Sequence, residues 1–317
     1  MSEDISERLH AVVKRRLGTA DLTGLTRLSG GASRETWSFD AAGRKLILRR
    51  VPPALSSRRT NGIALETEAD LQIIAMRHGI PVPEIVFLLE PEDRLGAGYV
   101  MSRVAGETIA RKILRDAEFA DVRPRLAAQC GAILRHLHAI PIDTLPALRR
   151  VGAHEQLAEY RVQYDLFDEP HPIFEFAFRW LETHLPEPVA PKLVHGDFRN
   201  GNLVVSPHGV ASVLDWELAH LGDPYEDLAW ICINSWRFGE LDKPVGGFGP
   251  REDFYAAYGQ VDVKRARFWE ILSTLKWGVI CMMQCAPFID GSDRSVERAA
   301  IGRRASETEL DLMLLLG

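Results

Sequence analysis

Apolar side chains recur at Ile5, Leu9, Val12, Val13 and Leu17, a spacing that predicts an amphipathic helix over residues 4–17. The period then shortens. In "LTRLSGGASRETWSFDAAGRKLILRRV", apolar and polar residues alternate around the pair Gly30–Gly31, and "AAGR" supplies a second turn, so a β-meander is expected. "GIALETEADLQIIAMRHGI" returns to helical spacing and ends near Gly79, while "PVPEIVFLLE" and "GAGYVMSRVAG" read as extended. Beyond Gly106 helices dominate: "RPRLAAQCGAILRHLHAI", "GAHEQLAEYRVQYDLF", "PIFEFAFRWLETHL" and then residues 222–317. Residues 193–217 are the one strand-rich island of this half. Residues 238–250, "FGELDKPVGGFGP", are the richest in glycine and proline and are expected to be mobile. The fold class expected is α+β, with a strand-rich small part joined to a helix-rich large part near residues 101–106.

Composition narrows the function classes. The 317 residues are 46% hydrophobic and 26% charged, with a net charge of −6, so a sizeable core is expected and no nucleic-acid footprint is present. Cys130, Cys232, Cys281 and Cys285 lack metal-site spacing; the last two sit four apart on one helix face. Unpaired thiols fit a reducing cytoplasm. The opening "MSEDISERLHAVVKRR" has no apolar signal core, and no run approaches the ~18 consecutive apolar residues of a membrane span. A soluble, cytoplasmic protein with neither membrane nor nucleic acid as partner is the expectation; the oligomeric state is open.

The densest chemistry lies in "LVHGDFRNGNLVVSPHGVASVLDWE". Asp197 follows an apolar run and Gly196, so its carboxylate stands at a strand end. Asn202 lies five positions on, "SPHG" is a turn, and "VASVLDW" reads as the returning strand, which brings Asn202 near Asp215. An amide oxygen and a carboxylate so placed are hard ligands suited to Mg²⁺. Asp197 is then free to accept a hydroxyl proton. Taken singly, an Asp or Asn here is an ordinary turn former or cap. His195 reads as a structural hydrogen bonder, Asp223 and Asp227 as braces of the next helix, and His138 as a core histidine.

The order His195-Gly196-Asp197, Asn202, Asp215 resembles the aminoglycoside phosphotransferase and choline kinase-like family of protein-kinase-like phosphotransferases. "HGDFRNGNL" is similar to that family's catalytic motif and "LDWELAHLGDPYEDLAW" to its metal motif and the segment after it. The resemblance implies a bilobal fold, with residues 1–105 as the nucleotide-binding lobe including the hinge and residues 106–317 as the helical lobe. It implies Asp197 as catalytic base, Asn202 and Asp215 as metal ligands, and ATP with Mg²⁺ as cofactors, GTP not being excluded. "LSGGASRETW" is the matching phosphate-covering loop, through Gly30, Gly31 and Ser33, although it departs from the kinase glycine pattern. Matching "KLILRR" to the family's third strand puts its phosphate-pairing cation at Arg49 and its helix carboxylate at Glu68, with Glu66 as fallback. "YVMSRVAG" matches the hinge, where Met101 packs beside the base and backbone of Ser102 to Val104 meets the adenine edge.

The partner implied is a small-molecule hydroxyl compound, and two signals disagree about which. Residues 151–183 carry seven acidic residues against two arginines, among seven aromatic rings, which suits an aminosugar or choline-like alcohol if this insert lines the acceptor cleft. "LILRRVPP" and "DWELAHLGDP" instead look most like the branch associated with hydroxyacyl-CoA phosphorylation, and residues 41–65 hold six basic residues and no acid. A catalytically silent nucleotide-binding regulator is the alternative class. No P-loop, D-F-G or A-P-E sequence is present, against a P-loop NTPase and against a peptide-docking kinase.

Overall fold

The computed structural model describes residues 2–30, 34–53 and 62–317. Helix α1 (Ser2–Leu17) lays Ile5, Leu9, Val12 and Val13 into a core with Phe39, Leu46, Leu48 and Val100 of the sheet that follows. That sheet holds β1 (Leu22–Gly30), β2 (Glu35–Ala41), β3 (Arg44–Val51), β4 (Ile85–Leu88) and β5 (Ala97–Ser102), all antiparallel in the order β1-β2-β3-β5-β4. Ala42 and Gly43, both at positive φ (52° and 70°), turn β2 into β3, the backbone a two-residue hairpin demands. Alternation along β3 and β5 sends Leu46, Leu48 and Val100 to the α1 side. Arg49, Tyr99 and Met101 therefore face the other way, where Tyr99 and Met101 pack with Leu65 and Ala69 of α2 (Leu65–Arg77).

The helical part begins with α3 (Ala110–Arg115) and α4 (Arg123–His138), then α5 (Ala153–Tyr164) and α6 (Pro172–Thr183). Two small antiparallel pairs interrupt it: β6 (Lys192–Val194) with β9 (His220–Gly222), and the hairpin β7 (Leu203–Ser206) and β8 (Gly209–Val213). Helices α7 (Tyr225–Trp230), α8 (Arg251–Tyr258), α9 (Val263–Ile289), α10 (Val296–Gly302) and α11 (Arg304–Leu316) complete the chain. One core gathers α4 and the β7–β8 hairpin with Trp216 and Phe254; a second wraps α5, α6 and α11 around α9. At Gly131 of α4 a Cβ would stand 2.1 Å from the Phe254 carbonyl, so only glycine permits this approach of α8.

One expectation changes. Residues 238–250 are packed and not a loose loop: Val245 and Phe248 are buried in the first core, and Val245 pairs with Gly249. Helix α9 is by length and composition apolar enough to cross a membrane, although it has no unbroken apolar run, and over half of it is buried inside the fold. The four cysteines are free.

Candidate active site

Strand β6 ends at Val194, and the chain turns through Gly196 at φ 81°, where a Cβ would stand 2.6 Å from the Leu218 carbonyl. Asp227 of α7 fixes this turn from beneath. Its buried carboxylate accepts the His195 and Gly196 amides at 2.8 and 3.0 Å and meets His138 Nε2 at 3.2 Å. His195 is buried too: Nδ1 accepts the Asp197 amide at 3.2 Å, which leaves Nε2–H to donate to the Leu214 carbonyl at 3.1 Å. Asp197 emerges with both carboxylate oxygens oriented. Oδ1 accepts Trp230 Nε1–H at 2.7 Å and Arg199 Nε–H at 3.0 Å; Oδ2 accepts Asn202 Nδ2–H at 2.6 Å.

The β7–β8 hairpin does the rest. Leu203 pairs with Val213 and the Leu214 amide donates to the Asn202 carbonyl at 2.8 Å, so Asp215 follows directly beside Asn202. Asp215 stands in the left-handed region (φ 65°, ψ 64°), a conformation a non-glycine residue holds only when its surroundings enforce it. Asn202 spends its side-chain nitrogen on Asp197, and among the described residues its side-chain oxygen Oδ1 has no protein partner. The two residues thus present hard oxygen donors of the kind Mg²⁺ takes. Among the described residues no three His, Cys, Asp or Glu side chains form a closed metal cluster.

Against the end of the hairpin lies a buried charge network. Glu68 of α2, 1% exposed, accepts Arg34 Nη1 at 2.5 Å and the Tyr99 hydroxyl at 2.9 Å. Arg49 Nε lies 3.1 Å from the same carboxylate but its N–H is not aimed at it, so this is an ion pair without a directed hydrogen bond. Arg49 Nη2 reaches Asp215 at 2.7 Å and Glu217 at 3.3 Å, and Arg34 Nη1 is 3.1 Å from Glu217. Burial alone would favour loss of the Arg49 proton; Glu68, then Tyr99, Asp215 and Glu217, outweigh it and hold the cation firmly charged. Burial, then proximity to Asp215, raises Glu217 above the usual carboxylate range.

Glu66 is exposed, so it is Glu68 that meets Arg49. Arg50, one residue on, turns to the opposite face and pairs with Glu35. Gly30 closes β1, whereas Gly31 and Ser33 lie outside the described residues. In the segment expected to be the hinge, Met101 is half-buried among Tyr99 and Leu65. The Ser102 and Arg103 amides are already committed to the Glu84 and Lys45 carbonyls, both at 2.8 Å. Of the three amides from Ser102 to Val104, that leaves Val104 as the one with no protein acceptor among the described residues. Sequence reasoning missed Arg34, Glu217, Arg199 and Trp230; "DWE" and "DFR" were the available signals for Glu217 and Arg199.

Five of the acidic insert's seven carboxylates have partners within the protein. Glu155 caps α5 through the Gly152 amide, Glu159 pairs with Arg149, Asp165 and Glu175 pair with Arg161, and Glu169 lies 3.4 Å from His171. Near Asp197 the aromatic faces carry the protein's own cations: Arg199 over Trp236 at 4.4 Å and Lys276 over Trp230 at 5.0 Å. A cavity of about 500 Å³ lined by Val151, Gly152, Glu187, Asp223 and Arg265 includes none of Asp197, Asn202, Asp215, Arg49 and Glu68, so the side-chain chemistry, and not concavity, marks the site.

Residues 24–269 match the phosphotransferase enzyme family, the one that contains the aminoglycoside phosphotransferases. Mouse acyl-CoA dehydrogenase family member 10 is 28% identical over 237 residues, covering 72% of this chain but 22% of the relative; the chain thus spans under a quarter of that protein. Aminoglycoside 3'-phosphotransferase of Salmonella typhimurium is 27% identical over 177 residues, covering 53% of this chain and 63% of the relative. An aminoglycoside phosphotransferase-like protein from Ralstonia eutropha superposes with a TM-score of 0.74 at 23% identity, over 96% of this chain and 95% of the other. A thermostable mutant of aminoglycoside phosphotransferase APH(4)-Ia, in ternary complex with AMP-PNP and hygromycin B, gives 0.64 at 17% identity, over 97% of each chain. These superpositions show a shared kinase-like fold.

Proposed function

The chain belongs to the phosphotransferase enzyme family, and on that premise we propose that it moves the γ-phosphoryl group of ATP to a hydroxyl of a small-molecule acceptor. The observation that carries this reading is the convergence of Asp197, Asn202 and Asp215 opposite an Arg49 cation held by Glu68. Arg49 binds triphosphate oxygens, exchanging its contact with Asp215 for them. Asn202 and Asp215 would hold Mg²⁺, whose charge offsets that of the phosphates when it is bound. The Val104 amide meets the adenine edge. Asp197 orients the acceptor hydroxyl and takes its proton on Oδ2, the oxygen with one donor, since Oδ1 is already saturated by Trp230 and Arg199.

For the acceptor, the pairing of Glu159, Asp165 and Glu175 with Arg149 and Arg161, and the cations lying on Trp230 and Trp236, weigh against an aminosugar or choline-like alcohol, which would draw on those carboxylates and ring faces. A neutral or anionic hydroxyl compound fits better, and the hydroxyacyl-CoA class agrees with the acyl-CoA name of the mouse relative. Calorimetric titration with Mg-ATP separates the assigned roles. Asp197→Ala should bind with wild-type affinity yet turn over ~10²–10⁴-fold more slowly, whereas Asp215→Ala should lose Mg-ATP binding. Undiminished turnover by Asp197→Ala rules the reading out.

A further inference from the structure

Helix α9 runs through the second core as a nearly continuous apolar element, yet it buries an ammonium there: Lys276 is 8% exposed. Burying a lysine is costly unless it is paired, and the pairing is elaborate. Lys276 Nζ donates to Glu226 Oε1 at 2.9 Å, while Oε2 of the same carboxylate is held by Gln156 and by His220 Nε2 at 3.0 Å. Among the described residues Glu226 is the one carboxylate in contact, so it takes one of the three ammonium protons. The remaining charge faces two rings, Trp230 at 5.0 Å and Tyr160 at 5.7 Å from their centroids.

Trp230 is no passive wall. It is 3% exposed, and its single polar atom, Nε1–H, donates to Asp197 Oδ1 at 2.7 Å. A cation on an indole face draws electron density from the ring and makes its N–H a stronger donor; polarised chains of this kind strengthen one another in a low-dielectric interior. The ammonium makes no hydrogen bond to Asp197; its charge attracts that carboxylate through space, and the one bonded path between them runs through the indole. The other groups on the carboxylate, Arg199 and Asn202, belong to its own loop and move with it. Among the described residues Trp230 is the one hydrogen-bond donor to this carboxylate from outside the loop, anchored in α7 and backed by α9.

We propose that Lys276 is a positioning residue for Asp197: through Trp230 it fixes Oδ1, and so keeps Oδ2 turned toward the acceptor hydroxyl. This rests on Asp197 being the base of a phosphotransferase. Glu226, Gln156 and His220 hold the ammonium over the ring, which accounts for a buried polar group that fold stability alone does not require.

The test uses variants that keep the interior neutral and filled. Lys276→Met combined with Glu226→Gln replaces the ion pair by uncharged groups of similar size, and Trp230→Phe deletes the N–H while keeping a ring. Trp230→Phe should lower kcat about 10- to 100-fold, the worth of one hydrogen bond to a charged group, and the paired replacement by a smaller factor, each with KM for Mg-ATP unchanged. Because both act on one contact, the triple variant should be no slower than Trp230→Phe alone. In ¹⁵N-labelled protein the Trp230 indole proton, assigned by its absence in Trp230→Phe, should move upfield in the paired replacement. Multiplicative losses in the triple variant, or an unmoved indole resonance, overturn the relay. Wild-type kcat in Trp230→Phe also overturns it, and this variant stands even where the paired replacement does not fold. Full turnover by Asp197→Ala is a different failure: it removes the phosphotransferase reading itself.

Discussion

Replacing Glu68 by Gln removes one negative charge from a site that holds two arginines. In the wild type its carboxylate meets Arg34 Nη1 at 2.5 Å, Arg49 Nε at 3.1 Å and the Tyr99 hydroxyl at 2.9 Å, at 1% exposure. Removing one partner of a buried ion pair costs about 3–5 kcal/mol when the other is left bare. Neither arginine is left bare here. Arg49 keeps Asp215 at 2.7 Å, and Arg34 keeps the Ile63 carbonyl at 2.7 Å and Glu217 at 3.1 Å. The expected loss is therefore at or below the lower end, about 2–3 kcal/mol. At roughly 2 °C per kcal/mol for a chain of this size, Tm should fall by about 5 °C in scanning calorimetry. Arg49, freed from Glu68 and drawn to Asp215, should bind triphosphate less well, and KM for Mg-ATP should rise on the order of tenfold. A Tm within about 1 °C of wild type together with an unchanged KM refutes the idea that Glu68 anchors the phosphate cation.

Three further outcomes follow from the same packing. Asp227→Asn presents an amide N–H to backbone donors that the carboxylate now accepts, so kcat should drop at least about tenfold with Mg-ATP affinity intact and about 2–3 kcal/mol of stability lost to urea. Gly131→Ala forces a methyl into the Phe254 carbonyl and should cost about 1–3 kcal/mol in the same assay by parting α4 from α8. At His220, burial alone would lower the pKa, but attraction to Glu226 and its hydrogen bond win, so the folded value is raised. Its contribution to stability is complete below about pH 6.5, the ordinary value, and is lost as pH rises through the raised folded value. Wild type should thus lose more stability than His220→Gln between pH 6 and pH 9, and equal slopes contradict this.

What the sequence made readable was whatever is periodic or close in the chain. The sheet and its flanking helices announce themselves by alternation and by 3.6-residue spacing, and Asp197, Asn202 and Asp215 lie within one hairpin whose turn can be counted. The contacts that sequence reasoning missed join distant segments: Arg34 to Glu68, Trp230 to Asp197, Lys276 to Glu226. Nothing in the local pattern around Lys276 distinguishes it from a solvated lysine interrupting an apolar helix. Residues 238–250 misled for the converse reason. Their glycines and proline signal turns, while Val245 and Phe248, which anchor them, are too few to show a period. Strand β9, three residues long, has no readable period either. The acidity of residues 151–183 is real, but charge counting does not see Arg149, Arg161 and the α5 cap consuming it.

The central claim is phosphoryl transfer with Asp197 as base, and phosphorus NMR tests it most directly. Purified protein and Asp197→Ala would be incubated with Mg-ATP and separate pools of hydroxyacyl-CoAs, aminosugars and choline-like alcohols. The account predicts a new phosphate-ester signal with a neutral or anionic acceptor, the hydroxyacyl-CoA pool first, that is lost in Asp197→Ala. A signal of equal size from Asp197→Ala, or no Mg-ATP binding and no ester from the wild type, contradicts it.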